Sequence, residues 1–285
     1  MSTILIALAV LAGTAAGSTG LLISPADLTA ALKDRATVVV FVDTHEGNFT
    51  AGHIPGARFV RYDQITVDGG LQSELPPVDQ LRKVLAAVGI SNASKIVIYG
   101  SPMAAARLFF TLDYLGLANV RVLNGGVNAW KASGGSIEIA PPAAEARAQF
   151  TPKPNPSRVV TADWIKERLS SEKMTLLDAR PDAEFTGADG GMGGAHAKGH
   201  LPDAHQLVWN TLLDSSGKYL PDAELRKKFE AIGAKANTPL VSYCMVGMRA
   251  SVTYLVARHL GYDARLYDGS IVDWTLRTLP TVTGK

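Results

Sequence analysis

One cysteine, Cys244, stands in this chain, and its neighbours decide what chemistry it can do. A single thiol closes no intrachain disulfide and builds no thiolate zinc site by itself. Two readings remain: a small buried hydrophobe, the common fate of a free cysteine, or a reactive nucleophile. The segment Val241-Ser242-Tyr243-Cys244-Met245-Val246-Gly247-Met248-Arg249-Ala250-Ser251 favours the second. It takes the chain from a β-rich run through a short loop into a helical stretch, Val252 to Leu260. Such a turn aims several backbone N–H groups, and the positive end of the following helix, at one point. An anion is favoured there, and a thiolate is an anion, so the loop is expected to activate the sulfur. Gly247 supplies the positive φ or close backbone approach that a cradle of this kind needs.

The elements that must position this loop are set by an internal repeat. Leu81-Arg82-Lys83, Gly89, Tyr99, Arg121, Gly125 and Trp130 recur 144 residues later as Leu225-Arg226-Lys227, Gly233, Tyr243, Arg265, Gly269 and Trp274. Upstream, Gly52-His53-Ile54-Pro55 matches Gly199-His200-Leu201-Pro202, and Asp43 matches Asp178, with a second-half insertion of 12 residues between these two markers. Val38–Val42, Met174–Leu177, Ile96–Tyr99 and Pro239–Tyr243 are short β-rich runs, separated by amphipathic helical patterns. Nearly continuous apolar strands alternating with helices predict an α/β fold in two copies, each a mostly parallel sheet flanked by helices. Ligands of such sheets sit beyond the carboxyl ends of the strands, where Cys244 falls.

The 285 residues suit two domains at about 150 residues each. The copies span residues 21–134 and 157–285, joined by a proline-rich linker, 135–156, expected to be semi-rigid. Apolar residues make up 47% and charged residues 19%, which excludes a disordered chain. Lys and Arg number 28 against 26 Asp and Glu, too even a balance to select nucleic acid or an anionic membrane. The first 26 residues carry no charged side chain, and Ile4 to Ala12 is unbroken apolar sequence before Gly13-Thr14-Ala15-Ala16-Gly17. Residues 1–17 read as a secretory signal segment, although no Lys or Arg precedes the apolar run. That reading predicts a periplasmic or secreted protein, the alternative being a cytoplasmic one with a frayed start. A spanning helix would have to consume Leu22 and Ile23, which the repeat assigns to a folded domain, so no stable membrane span is expected.

Asp178-Ala179-Arg180, Glu184-Phe185, the Gly199-His200-Leu201-Pro202 turn, the Cys244 loop and Tyr267-Asp268-Gly269-Ser270 through Trp274 together resemble the rhodanese sulfurtransferases. The first half shows the same scaffold in Asp43, the Gly52-His53 turn, Asn124-Gly125-Gly126 and Trp130, but has Gly100 where the second has Cys244. The resemblance implies a tandem protein with an inactive first domain and an active second one. It implies that Cys244 takes the outer sulfur of a donor such as thiosulfate as a persulfide and passes it to cyanide or a thiol, a two-step covalent scheme. It also implies that Met245, Val246, Gly247, Met248 and Arg249 hold the sulfur through their N–H groups, with Arg180 a further candidate for binding substrate. Neither a metal nor an organic cofactor is implied. The expected partners are a small-molecule donor and acceptor, with a protein thiol as a further acceptor.

Several residues depart from the two-domain pattern. Glu184 stands before Phe185 where an Arg is usual, and Gly190-Gly191-Met192-Gly193 replaces a stretch that carries an Arg in the mercaptopyruvate branch. Met245 and Val246 occupy the places of a basic pair typical of thiosulfate enzymes. Arg249 either meets the anionic end of a donor or braces the loop against Glu184 or another acid, and Arg180 is similarly divided between substrate and a structural ion pair. His196 and Lys198, in the insertion, form a positive rim or are simply solvated, whereas His53 and His200 read as structural. A phosphatase or arsenate reductase of this fold would need Cys-x5-Arg, and here the loop is Cys-x4-Arg, one residue short. A persulfide carrier is the other alternative, with Met245, Val246 and Met248 as its docking surface; the same residues could instead pack against the first domain.

Overall fold

In a computed structural model, residues 20–67, 74–139, 148–171, 173–191 and 198–284 are described. The expected export segment 1–17, linker residues 140–147, and Met192, Gly193 and His196 of the insertion lie outside them.

In the first half, β1 (Leu22–Ile23), β2 (Thr37–Asp43), β3 (Arg58–Arg61), β4 (Lys95–Gly100) and β5 (Val120–Leu123) form a parallel sheet in the order β1-β5-β4-β2-β3. Helices α1 (Pro25–Ala31), α2 (Glu46–Thr50), α3 (Val78–Ala87), α4 (Pro102–Tyr114) and α5 (Gly126–Ala132) belong to the same half. The second half contains β6 (Thr175–Asp178), β7 (Ala204–Gln206), β8 (Leu240–Tyr243) and β9 (Ala264–Leu266), parallel in the order β7-β6-β8-β9. Its helices are α6 (Ala162–Lys166), α7 (Asp182–Thr186), α8 (Asp222–Ala231), α9 (Met248–His259) and α10 (Ser270–Leu276). A single parallel bridge from Val159 to Leu266 stands where β1 stands in the first sheet, so both halves share one strand order. This is the tandem α/β architecture expected from the repeat. The apolar strands follow from it: Val38 to Val42 is buried throughout because helices cover both faces of its sheet.

The two halves share a core. α4 packs on α9, and Leu108, Phe110 and Leu112 join Val252, Leu255 and Val256 in one buried cluster that also holds Cys244. The Tyr254 ring meets Phe110 edge-on at 5.1 Å, and its hydroxyl donates to Asp113, which Arg258 Nε also reaches at 2.9 Å. The described flanks of the linker do not run free of the domains. Ala148 N donates to Ala86 O at 3.1 Å, Lys153 N to Leu115 O at 2.9 Å and Asn155 N to Tyr114 O at 2.7 Å, all in the first half. Backbone pairing therefore adds to the stiffness that proline supplies there. Among the described residues no helix is long and apolar enough to cross a membrane.

Candidate active site

β8 ends at Tyr243, and the chain turns through Cys244, Met245, Val246 and Gly247 before α9 begins at Met248. The helix thus starts a turn earlier than the Val252 expected from its apolar pattern. Gly247, at φ +86°, ends the loop in the left-handed region, and the helix leaves directly from it. No side chain caps this helix, and none of the N–H groups of Met245 to Arg249 has an acceptor among the described residues. Five consecutive donors without acceptors, next to Cys244 and at the start of a helix, leave this loop open to an anion. The Cys244 side chain is 1% exposed.

The first half lacks this run of donors for two reasons besides the missing thiol. Its strand runs on to Gly100, and Ser101 caps α4 at once, accepting from Ala104 N at 3.2 Å. Pro102 follows and has no N–H to offer. A cavity of about 570 Å³ opens there between Asp43, Asn48, Ser101 and Lys131, with no thiol in its lining.

The loop is anchored from behind. Cys244 N donates to Ser270 Oγ at 3.1 Å, and Ser270 Oγ donates to Tyr267 O at 2.9 Å. Ser270 has φ +53°, whereas its repeat partner Gly126 has φ +55°. A side chain in that region costs roughly 1–2 kcal/mol, and here it gives the loop an anchor that a glycine could not. Ile271 N and Val272 N donate to Cys244 O and Met245 O at 3.2 and 3.3 Å.

The candidate basic residues separate. Arg249 Nη1 and Nη2 meet Glu184 Oε1 and Oε2, both at 2.8 Å, which is the bracing arrangement. Burial disfavours the Arg249 charge, but Glu184 and the adjacent Cys244 sulfur outweigh it, and the guanidinium is held above its ordinary value. Arg180 does not line the site. Its side chain is fully buried, bonded to Asp178 at 2.6 Å and to Gly199 O at 2.6 Å, because it ties the end of β6 to the Gly-His turn. A small donor has no access to it, so its expected substrate contact is replaced by a structural one. Lys198 is exposed.

His200 stacks on Phe185 at 3.8 Å with Nδ1 on Phe185 O, and His53 does the same with Phe49 at 3.7 Å, so both are structural. The apolar loop residues point different ways. Met245 and Val246 pack into the second half's own core, and Met248 packs against the shared core. The three therefore do not form one docking face, nor do they all meet the first half.

Sequence reasoning missed Arg107. It is the one charged residue in the run Ala104 to Leu112 and fully buried, and its Nη1 reaches Asp268 Oδ1 at 2.5 Å beside Gly247. A lone arginine inside an apolar helix was the available signal.

The family model for the rhodanese-like domain matches residues 24–133 and 161–277. A thiosulfate sulfurtransferase of Azotobacter vinelandii is 30% identical over 265 residues, covering 89% of this chain and 93% of that one. The sulfur carrier protein TtuD of Thermus thermophilus is 28% identical, covering 85% and 89%. The solved structure of EanB superposes with a TM-score of 0.86 at 22% identity, over 93% of this chain and 70% of that one, a likeness of fold. The chain belongs to the rhodanese family and is a tandem sulfurtransferase whose single cysteine is confined to the second of its two domains.

Proposed function

We propose that this protein moves a sulfane sulfur from thiosulfate, or a related donor, through a persulfide on Cys244. The thiolate attacks the outer sulfur, the S–S bond to the sulfonate breaks, and sulfite leaves with its electron pair. Cyanide then takes the terminal sulfur as thiocyanate, or a thiol takes it as a new persulfide, and the thiolate returns. The observation that carries this reading is the run of five N–H groups, Met245 to Arg249, that follow the only thiol and have no acceptor among the described residues. Thiosulfate is preferred over mercaptopyruvate because Glu184 stands where a carboxylate-binding arginine would be needed and neutralises Arg249. Each missing charge-assisted contact is worth roughly 1.5 to 3 kcal/mol, an order of magnitude or more in specificity.

A second reading is a carrier that hands the persulfide to a protein thiol, supported by the similarity to a protein described as a sulfur carrier. The uncharged segment 1–17 supports export to the periplasm or beyond, which the N-terminal sequence of the mature protein checks.

Incubation with thiosulfate is expected to raise the intact mass by ~32 Da, one sulfur in the covalent scheme, and Cys244→Ser is expected to remain unchanged. An equal adduct on Cys244→Ser would sink the proposal. Kinetics on one preparation rank the donors, and a larger kcat/KM for mercaptopyruvate would reverse the substrate assignment. Fast persulfide formation with slow thiocyanate release, relieved by a protein thiol, would favour the carrier.

A further inference from the structure

Arg107 belongs to α4 of the first domain, yet it spends its charge on the second. Nη1 lies 2.5 Å from Asp268 Oδ1 and Nη2 3.2 Å from Oδ2, and the Arg107 side chain is wholly buried. The pair lies beside Gly247, leaving no room for a side chain there. A Cβ built on Gly247 would stand 2.7 Å from Asp268 Oδ1 and 3.3 Å from Arg107 Nη1. Arg107 Nε is buried without a hydrogen-bond partner among the described residues. Burial disfavours the charge, Asp268 more than restores it, and the Cys244 sulfur adds to the hold.

The internal repeat supplies a control for what this pair is for. At the 144-residue offset, Leu75, Arg107 and Asp268 correspond to Tyr219, Ser251 and Asn124. Leu75 N donates to Asp268 Oδ2 at 2.8 Å, and Tyr219 N donates to Asn124 Oδ1 at 2.8 Å. Each domain thus docks a backbone N–H on the other in the same way, and an amide suffices to accept it. The ion pair is present only on the side that carries Cys244; its counterpart Ser251 instead donates to Gly247 O at 2.8 Å. A buried ion pair with an orphaned N–H is a poor clamp, since desolvation offsets much of its attraction. Its value must lie in what it touches.

We infer that Arg107 is a positioning residue for the Cys244 loop, supplied by the domain that has no cysteine: it locks Asp268 against Gly247 and so fixes the end of the loop from which the helix leaves. This rests on Cys244 being the sulfur-carrying thiol. A rigid guanidinium fork suits the role, because it fixes both carboxylate oxygens at once. Two ion pairs thus border the loop, Arg107 with Asp268 beside Gly247 and Arg249 with Glu184 at its end.

The decisive variant is Arg107→Met with Asp268→Asn in the full chain. It gives the second site the neutral joint of the first, and the asparagine keeps an acceptor for Leu75 N. Three readouts are taken: thermal unfolding, alkylation of Cys244 by iodoacetamide at neutral pH, and kcat and KM with thiosulfate. The double variant is expected to stay folded, to alkylate about tenfold more slowly and to lose kcat by about the same factor with KM little changed, as loss of donor alignment at the sulfur requires. Arg107→Lys keeps the charge without the fork and is expected to fall between the two. A folded double variant with wild-type alkylation and turnover would reduce the pair to a domain clamp and overturn the inference. Should the double variant fail to fold, Arg107→Lys decides, and wild-type alkylation and kcat there overturn it equally. Alkylation needs no sulfur donor, so a protein that accepts no sulfur from thiosulfate would strike the function proposed above while leaving the role of Arg107 to be judged by alkylation.

Discussion

Glu184 and Arg249, 65 residues apart in the chain, face each other fork to fork with both N–O distances at 2.8 Å. Glu184, which stands where the two-domain pattern usually has an arginine, is therefore the counter-ion of the arginine that ends the loop. Glu184→Gln keeps the volume and one acceptor but leaves the guanidinium uncompensated beside the sulfur. KM for thiosulfate is expected to fall severalfold, because the donor dianion gains the partner that Glu184 now occupies. Stability is expected to drop by about 1.5 to 3 kcal/mol for the lost charge-assisted bond, or several degrees in Tm at roughly 2 to 4 °C per kcal/mol. Steady-state kinetics and a thermal melt check both, and a rise in KM would mean that Arg249 serves only the loop.

Restoring a thiol to the first domain is expected to fail. A Cβ at Gly100 would lie 2.2 Å from the carbonyl oxygen of Val42, and α4 is already capped by Ser101. Gly100→Cys should lose about 1–3 kcal/mol through overpacking and, with thiosulfate, still take one sulfur per chain. A second ~32 Da increment, the mark of another persulfide, would show that the cradle is not what selects the site.

Loop length separates sulfur chemistry from phosphoryl chemistry. Inserting one glycine after Val246 makes the loop Cys-x5-Arg and also moves Gly247 off the Arg107–Asp268 pair. Displacing one donor from the developing charge costs about 3 kcal/mol, so sulfur transfer is expected to fall about a hundredfold with the circular dichroism spectrum retained. Phosphate or arsenate is then expected to raise the Tm of the insertion variant and not that of the parent protein. A folded insertion variant at full rate would remove the argument from loop length.

Glu74 reports on the same interface through pH. Burial holds its carboxyl above the ordinary 4.5, Asp268 and Asp273 push it further, and Arg107 and Arg277 offset only part. Below 4.5 both folded and unfolded chains carry the proton. Above it the unfolded chain releases the proton first, so this group's stabilisation is lost as pH rises through the folded value. Glu74→Gln should therefore flatten the fall in Tm above pH 4.5 and leave the variant the more stable at neutral pH. Parallel Tm curves for the two proteins would rule out Glu74 as the source.

The sequence by itself determined the two-fold repeat, the parallel α/β class, the strands ending near Asp43, Asp178, Tyr99 and Tyr243, and the loop around Cys244. These are local properties: strand periodicity, glycine at a left-handed turn, and a thiol placed between strand and helix are all written in short windows. The structural roles of His53 and His200 were equally readable, because each lies in a tight Gly-His-x-Pro turn. Tertiary structure alone decided which carboxylate meets which guanidinium. Asp178 is two residues from Arg180, but Glu184 and Arg249 are 65 apart and Arg107 and Asp268 are 161 apart. Nothing in the spacing along one chain fixes such partners: Glu184 on α7 and Arg249 on α9 meet inside the second domain, and Arg107 reaches Asp268 only when α4 packs on α9 and closes the first domain against the second. The same packing buried the charge of Arg107 next to the loop, and a buried charge takes whichever partner the fold delivers to it.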